Sequence, residues 1–184
     1  RDTLYSNEQT NIFTHEVAKD IFLHNSYTDS IIKQLVNRPL LEDKKYRYSD
    51  LGYYLLKELI ENHYDKPLNV IVDSLFYKSI GVDKFGYLPK KRIHLNSIIP
   101  TEHDMFFRKQ LVHGYVHDQG AAMFGGVAGH AGIFSNANDL AKIMYVYLNN
   151  GEYAGVKYFS KAVINDFSSC QFYENDNRRG AGFD

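Results

Sequence analysis

Three apolar stripes of helical period constrain this chain more than any other feature. Leu68, Ile71, Val72, Leu75, Phe76 and Ile80 recur at the spacing of a helix with one core-facing side, and Gly81 follows where a left-handed cap closes such a helix. Leu140, Ile143, Met144, Tyr147 and Leu148 repeat the pattern, with Ser135 as N-cap, Asp139 in an early turn and Gly151 at the end. Leu51, Tyr54, Leu55 and Leu59 form the third stripe and place Lys57, Glu58 and Glu61 on the solvent side. Weaker helical patterns fall at 30–36, 103–112 and 160–167. Strand signals are confined to Ile12-Phe13, Ile21-Phe22-Leu23, residues 153–159 and Gly182-Phe183, too few to complete a sheet. Residues 82–102 form a long irregular stretch, of the kind that is usually functional or partly mobile in a compact domain.

The 184 residues suffice for one substantial core and are short for two, and neither repeats nor a Pro/Gly-rich linker divide them. Lys plus Arg total 21 against 22 for Asp plus Glu, so no basic field attracts a phosphate backbone, which excludes nucleic acid as the expected partner. No apolar run has the length to cross a bilayer, and no targeting segment stands out. The single cysteine, Cys170, excludes an internal disulfide and a cysteine metal cage.

Tyr48-Ser49-Asp50 stands between a charged turn, Glu42-Asp43-Lys44-Lys45, and the Leu51 stripe, which puts Tyr48 at a helix N-terminus. A phenol with an ordinary pKa near 10 is a poor base unless cations favour the phenolate. The helix end supplies part of that charge and a lysine from elsewhere would supply more, held by Asp50. The bland alternative is that Ser49 or Asp50 caps the helix while Tyr48 packs as a staple. The tripeptide alone leaves both open.

The segment Tyr48-Ser49-Asp50-Leu51-Gly52-Tyr53-Tyr54-Leu55-Leu56 resembles the tyrosine motif of the serine β-lactamase and penicillin-binding-protein superfamily, class C and esterase branch, in which Tyr-x-Asn is usual and Tyr-Ser-Asp marks a subset. Gly125-Gly126-Val127-Ala128-Gly129-His130-Ala131-Gly132-Ile133-Phe134-Ser135-Asn136-Ala137-Asn138-Asp139-Leu140-Ala141 is similar to the Gly-Gly-x-x-Ser-x-x-Asp-Leu-Ala segment of that branch. More narrowly, Gly114-Tyr115-Val116-His117-Asp118, Gly125 to Leu140 and Arg178-Arg179-Gly180-Ala181-Gly182-Phe183-Asp184 resemble the β-lactamase-like modules fused behind bacterial family 3 β-N-acetylglucosaminidases. The similarity runs from about Tyr27 to Asp184.

The resemblance implies an α+β, β-lactamase/transpeptidase-like fold, of which residues 1–184 make a single partial domain dominated by the helical lobe. It implies a serine hydrolase acting through an acyl-enzyme on an ester, amide or β-lactam carbonyl, of β-lactamase, DD-peptidase or esterase type, without cofactor or metal. Tyr48 would do general acid/base work, Asp50 would position a lysine, and Ser49 and His130 would line the substrate site. The expected substrate is a small molecule or a peptidoglycan-derived peptide, with a glycosidase domain in the parent protein and a periplasmic or cell-surface location. By family order the Ser-x-x-Lys nucleophile motif falls before Arg1 and the Lys/His-Thr-Gly strand after Asp184, so the chain alone is expected to be inactive. The alternative is a degenerate, non-catalytic module that binds cell wall or packs against a glycosidase.

Other candidates are weaker. Ser30-Ile31-Ile32-Lys33 is a literal Ser-x-x-Lys, but it stands 18 residues before Tyr48, too near for the family order, and reads as the start of a surface helix. His130-Ala131-Gly132 spells the third motif but precedes the Asp139 helix, so His130 reads as a loop histidine. His113 and His117 have zinc-like spacing, yet Gly114 argues against a helix there. Arg178 and Arg179 suit a substrate carboxylate or, more commonly, an exposed charged turn.

Overall fold

The computed structural model describes residues 4–42, 46–175 and 177–183. Asp43, Lys44 and Lys45 of the expected charged turn, and Asp184 of the closing motif, lie outside them.

Tyr5–Ser6 (β1), Phe13–Ala18 (β2) and Ile21–His24 (β3) form an antiparallel sheet in the order β1-β3-β2. Asp20 sits in the turn between β2 and β3 with a positive φ of 57°. Val17 and Leu23 turn inward from this sheet and start the first core, which Val116, Ala121 and Phe124 complete. Ser26–Val36 (α1) lays Tyr27, Ile31 and Ile32 on that core. It begins four residues before the pattern predicted, so Ser30 lies inside the helix and donates its hydroxyl to the Ser26 carbonyl at 3.0 Å.

Leu51–Tyr64 (α2) is a helix as predicted, but its orientation reverses the expectation. Lys57 is 7% exposed, whereas Leu51, Leu55, Leu56 and Leu59 lie at 41, 39, 49 and 64%. The reason is that the polar side satisfies itself. Lys57 Nζ donates to Glu61 at 2.5 Å and Glu58 at 3.3 Å and lies over the Phe124 ring, while Glu61 Oε1 accepts the Leu68 N–H at 2.7 Å. Buried charge is tolerated when every donor has its acceptor.

The stripe at 68–80 is helical throughout: Leu68–Val72 (α3) passes through a π-helical turn, Asp73–Tyr77, into Lys78–Ile80 (α4), and Gly81 closes it at φ 74°. The π turn adds a residue to the helical repeat, so Leu68, Ile71 and Ile80 stay buried while Leu75 is carried out to 45% exposure. Residues 82–102 carry two short 3₁₀ turns, Pro89–Lys91 and Leu95–Ser97, and one bridge from Gly86 to Phe134.

The helix predicted at 103–112 is instead a hairpin of Glu102–Asp104 (β4) and Gln110–Val112 (β5). Asp104 explains the difference. Its carboxylate takes the N–H groups of Phe106, Phe107 and Arg108 at 2.8–3.1 Å, fixing a loop that a helix would have to break. A short helix that periodicity did not reveal, Gln119–Met123 (α5), follows, with Asp118 as its N-cap.

Ala137–Leu148 (α6) is capped by Asn136, one residue after the expected Ser135. Its inner side holds Asp139 and Val146, so Leu140, Met144 and Leu148 of the predicted stripe face out. Val146 joins Ile80, Val82 and Phe85 in a second core under the rings of Phe76, Tyr77 and Phe159. Glu152–Tyr153 (β6) and Val156–Lys157 (β7) make a tight hairpin through Ala154-Gly155, and Lys161–Ser168 (α7) follows, capped by the Ser160 hydroxyl. Gly182-Phe183 forms no strand; Phe183 instead sets its ring against Tyr147 at 5.0 Å. Among the described residues no helix is long and apolar enough to cross a membrane.

Candidate active site

The site forms where the first turn of α2 meets α5 and the glycine-rich loop. Tyr48 lies two residues before Asp50, the cap position of α2, and is 70% exposed, so its phenol opens to solvent and is not enclosed in the core. The Arg179 guanidinium stands over its ring at 5.5 Å and over the Tyr46 ring at 5.7 Å. The nearby charge of Asp50 raises the phenol above its ordinary value, with Arg179 opposing it. The local field therefore favours the protonated phenol.

Asp50 is the residue before α2, yet its side chain caps nothing; the Leu51 N–H goes to the Ser49 hydroxyl at 3.2 Å. That frees the Asp50 carboxylate, while the exposed Ser49 serves the helix end. Asp50, Asp118 and His130 bring one oxygen, one oxygen and one nitrogen within 4.8 Å of one another, the one grouping of metal-ligand type among the described residues. Two of the three are already bonded: Asp118 Oδ1 accepts the Ala121 N–H at 2.7 Å and meets His130 Nε2 at 2.9 Å. Burial alone would raise the Asp118 carboxyl, but the Ala121 N–H and His130 hold it below the usual carboxylate range.

His130 is thus not a bystander in its loop. Its side chain is 5% exposed and lies 4.9 Å from the Tyr54 ring, which packs equally close to Phe124. Two glycines allow this approach. A Cβ at Gly120 would stand 2.0 Å from the Tyr54 hydroxyl, and one at Gly129 2.5 Å from the Tyr53 carbonyl.

Beneath the site a buried ion pair fixes the backbone that leads into Asp118. Arg108 and Asp104 are both fully buried and paired at 2.8 Å. The guanidinium also donates to the carbonyls of Val116, at 2.6 Å, and His117. Burial would raise the Asp104 carboxyl, yet Arg108 and three backbone N–H groups hold it well below the usual range. His113 bonds the Ile98 carbonyl at 2.6 Å, and it and His117 belong to no metal-ligand grouping among the described residues.

A cavity of about 440 Å³ opens further along the inner side of α2, walled by Lys57, Glu61, His15, Glu16, Tyr115 and Phe124 among others. Tyr48 and Asp50 do not line it. Burial and then Lys57 lower the His15 imidazole, and burial and then Glu16 raise the Tyr115 phenol.

Of the residues named from the sequence, the structure brings Asp50 and His130 together, and it adds Asp118, with Asp104 and Arg108 behind it, which sequence reasoning did not single out. A signal for Asp118 was present: an aspartate three residues before Ala121, at N-cap spacing. Nothing comparable announces Arg108, whose partners are carbonyls eight and nine residues away.

Comparison with known proteins shows the family. Residues 11–158 match the model of the Beta-lactamase family. Proteins named putative D-alanyl-D-alanine carboxypeptidase from Salmonella typhi, Salmonella paratyphi B and Salmonella newport are each 32% identical to this chain over 158 residues, covering 78% of it and 37% of their own length. The chain spans little more than a third of the curated relatives it matches. With most of its length matched, from β2 to the hairpin after α6, the chain belongs to the Beta-lactamase family.

Proposed function

We propose that this chain is the central portion of a serine hydrolase domain of DD-peptidase type, which transfers the acyl group of a peptidoglycan-derived peptide to a serine and then to water. The observation that carries the reading is the exposed Tyr48 phenol, two residues before the non-capping Asp50 at the start of α2 and beneath a guanidinium. In that role Tyr48 passes the serine proton to the leaving group as the acyl-enzyme forms, and Asp50 holds a lysine ammonium that offsets the carboxylate's pull on the phenol. The family and the names of the Salmonella relatives support this class over an esterase. A cell-wall location and a glycosidase domain in the same protein belong to the same reading.

Two further features support a partial domain. The accessible surface is 12829 Å². A compact monomer of this mass would expose roughly 9,000 Å². Large apolar side chains stand exposed on helices, at Leu55, Leu56 and Leu59 of α2 and at Leu140, Met144 and Leu148 of α6.

The test is hydrolysis of a chromogenic cephalosporin, p-nitrophenyl acetate and a D-alanyl-D-alanine peptide. The chain alone is expected to turn over none of them, and the parent protein to release D-alanine with kcat reduced about 10²–10⁴-fold by Tyr48→Phe. Turnover by the chain alone that Ser30→Ala abolishes, or a parent indifferent to Tyr48→Phe, overturns the assignment. The uncovered leucine faces also favour a rival reading, a non-catalytic module that docks on a partner domain. Absence of any acyl-enzyme when the parent protein meets a fluorescent penicillin would establish that rival.

A further inference from the structure

We propose that the cavity of about 440 Å³ on the inner side of α2 is a second binding site, which takes a small organic anion with an apolar body and holds its carboxylate between Lys57 and His15. The volume is that of a small-molecule site. The cavity is separate from the candidate active site, since Tyr48, Asp50, Asp118 and His130 do not line it. The inference therefore goes beyond the hydrolase reading and does not rest on it. β2, α2, the 3₁₀ turn at Pro89–Lys91 and the glycine-rich loop supply the walls, and Phe22, Leu88, Val127 and Phe134 give them an apolar part. The charge of the ligand follows from which polar groups of the wall are already satisfied.

Each oxygen of the two glutamates in the wall already has a donor. Glu61 accepts from Lys57 Nζ at 2.5 Å on one oxygen and from the Leu68 N–H at 2.7 Å on the other. Glu16 accepts from the Tyr115 hydroxyl at 2.5 Å and from Lys90 Nζ at 3.1 Å in the same way. The donors are not exhausted. Lys57 directs two of its three N–H groups to Glu61 and Glu58, and its side chain is only 8% exposed, so the third has little water to meet. The His15 ring makes no hydrogen bond among the described residues, and Lys91 lines the cavity with no side-chain bond among them. Burial and then Lys57 lower the His15 imidazole, so the ammonium is felt there in spite of the glutamates that pair with it. Around Tyr115, by contrast, burial and then Glu16 raise the phenol, which leaves the place beside Lys57 and His15 to a carboxylate. Gly125, at φ 70°, keeps that place open: a Cβ there would stand 3.3 Å from His15 Nδ1.

The test titrates this chain with 4-phenylbutyrate and with 4-phenylbutanamide, the same body without the charge. The reporter is the His15 ring resonance of histidine-labelled chain, assigned by its loss in His15→Leu, and calorimetry gives the affinities. 4-Phenylbutyrate is expected to shift that resonance saturably with a Kd of about 1 mM or tighter, and the amide to bind at least about tenfold more weakly. Lys57→Met and His15→Leu are each expected to weaken 4-phenylbutyrate about tenfold. Thermal unfolding identifies the variants that stay folded, and His15→Leu, which has no hydrogen bond to lose, keeps the question measurable if Lys57→Met does not fold. No saturable shift at His15, an amide that binds as tightly as the acid, or an unchanged affinity in the folded variants overturns the inference. So does binding by this chain that is lost in the longer parent protein, because the parent's own polypeptide then fills the cavity. Catalytic turnover plays no part in this readout, so it can fail while the hydrolase reading stands, and stand if that reading fails.

Discussion

Two parts of the molecule bury their helices in opposite ways. Between α4 and α6 the interior is apolar: Ile80, Val82, Phe85 and Val146 meet under aromatic rings, with Asp139 admitted because it takes the Lys84 N–H at 2.8 Å. Along α2 the inward stripe is Asp50, Tyr54, Lys57 and Glu61, at helical spacing, and the leucines face out. The difference teaches that an amphipathic pattern shows that a helix forms before it shows which way the helix faces. Hydrophobic burial is non-directional and favours the apolar side inward. A polar side can take its place where its charges pair and its donors find acceptors, and where the apolar side has something else to meet.

The harshest test of the polar part is its buried pair. Arg108→Leu leaves Asp104 charged, unpaired and fully buried, and removes the donors from the Val116 and His117 carbonyls. A loss of about 3–5 kcal/mol in urea unfolding is expected. A double variant, Arg108→Leu with Asp104→Leu, should recover part of it, since the stranded charge is gone. In the apolar part, Ile80→Ala should cost about 3 kcal/mol by lost burial and the cavity left behind. A small loss for Arg108→Leu beside a large one for Ile80→Ala would mean that the polar part is ornament on an apolar core.

How much of this was legible follows from the range of the interactions involved. The three long stripes, the Gly81 cap, the Ser160 start of α7 and the position of Tyr48 are local, and the sequence shows them directly. The inverted α2, the displaced side of α6 and the hairpin at 102–112 depend on partners elsewhere. Lys57 looks like a solvated residue until the Phe124 ring and the Glu61 carboxylate are placed beside it. Asp104 looks helical until its carboxylate has gathered three N–H groups. In the site the local half, Tyr48 to Asp50, was readable. The half contributed from 118 to 130 had its residues in view, but not the bond between them.

Acid should distinguish the two parts next. Asp104 and Asp118 both titrate below the usual carboxylate range in the folded chain. A carboxyl depressed by folding contributes stability that is complete above its unfolded value of about 4 and is lost as pH falls towards the folded value. Urea unfolding between pH 7 and pH 3 should therefore show stability falling below about pH 4, with a shallower fall in Asp118→Asn. If that variant falls as steeply as the parent, the Asp118–His130 bond is not contributing in solution.

The smallest effect decides the most about α2. Leu59 is 64% exposed, so Leu59→Asn should change the stability of this chain by less than about 0.5 kcal/mol. Were the leucine side turned inward, as its periodicity alone suggests, the same change would bury an amide and open a cavity at a cost of about 2–4 kcal/mol. Made in the longer parent protein, the substitution distinguishes a second pair of outcomes. If further polypeptide of the same domain covers the leucines, Leu59→Asn becomes costly there while remaining harmless here. A substitution harmless in both would leave the leucine side to a separate partner, and α2 would then owe its orientation to the pairing of Lys57 with Glu61 and to Phe124 beneath it.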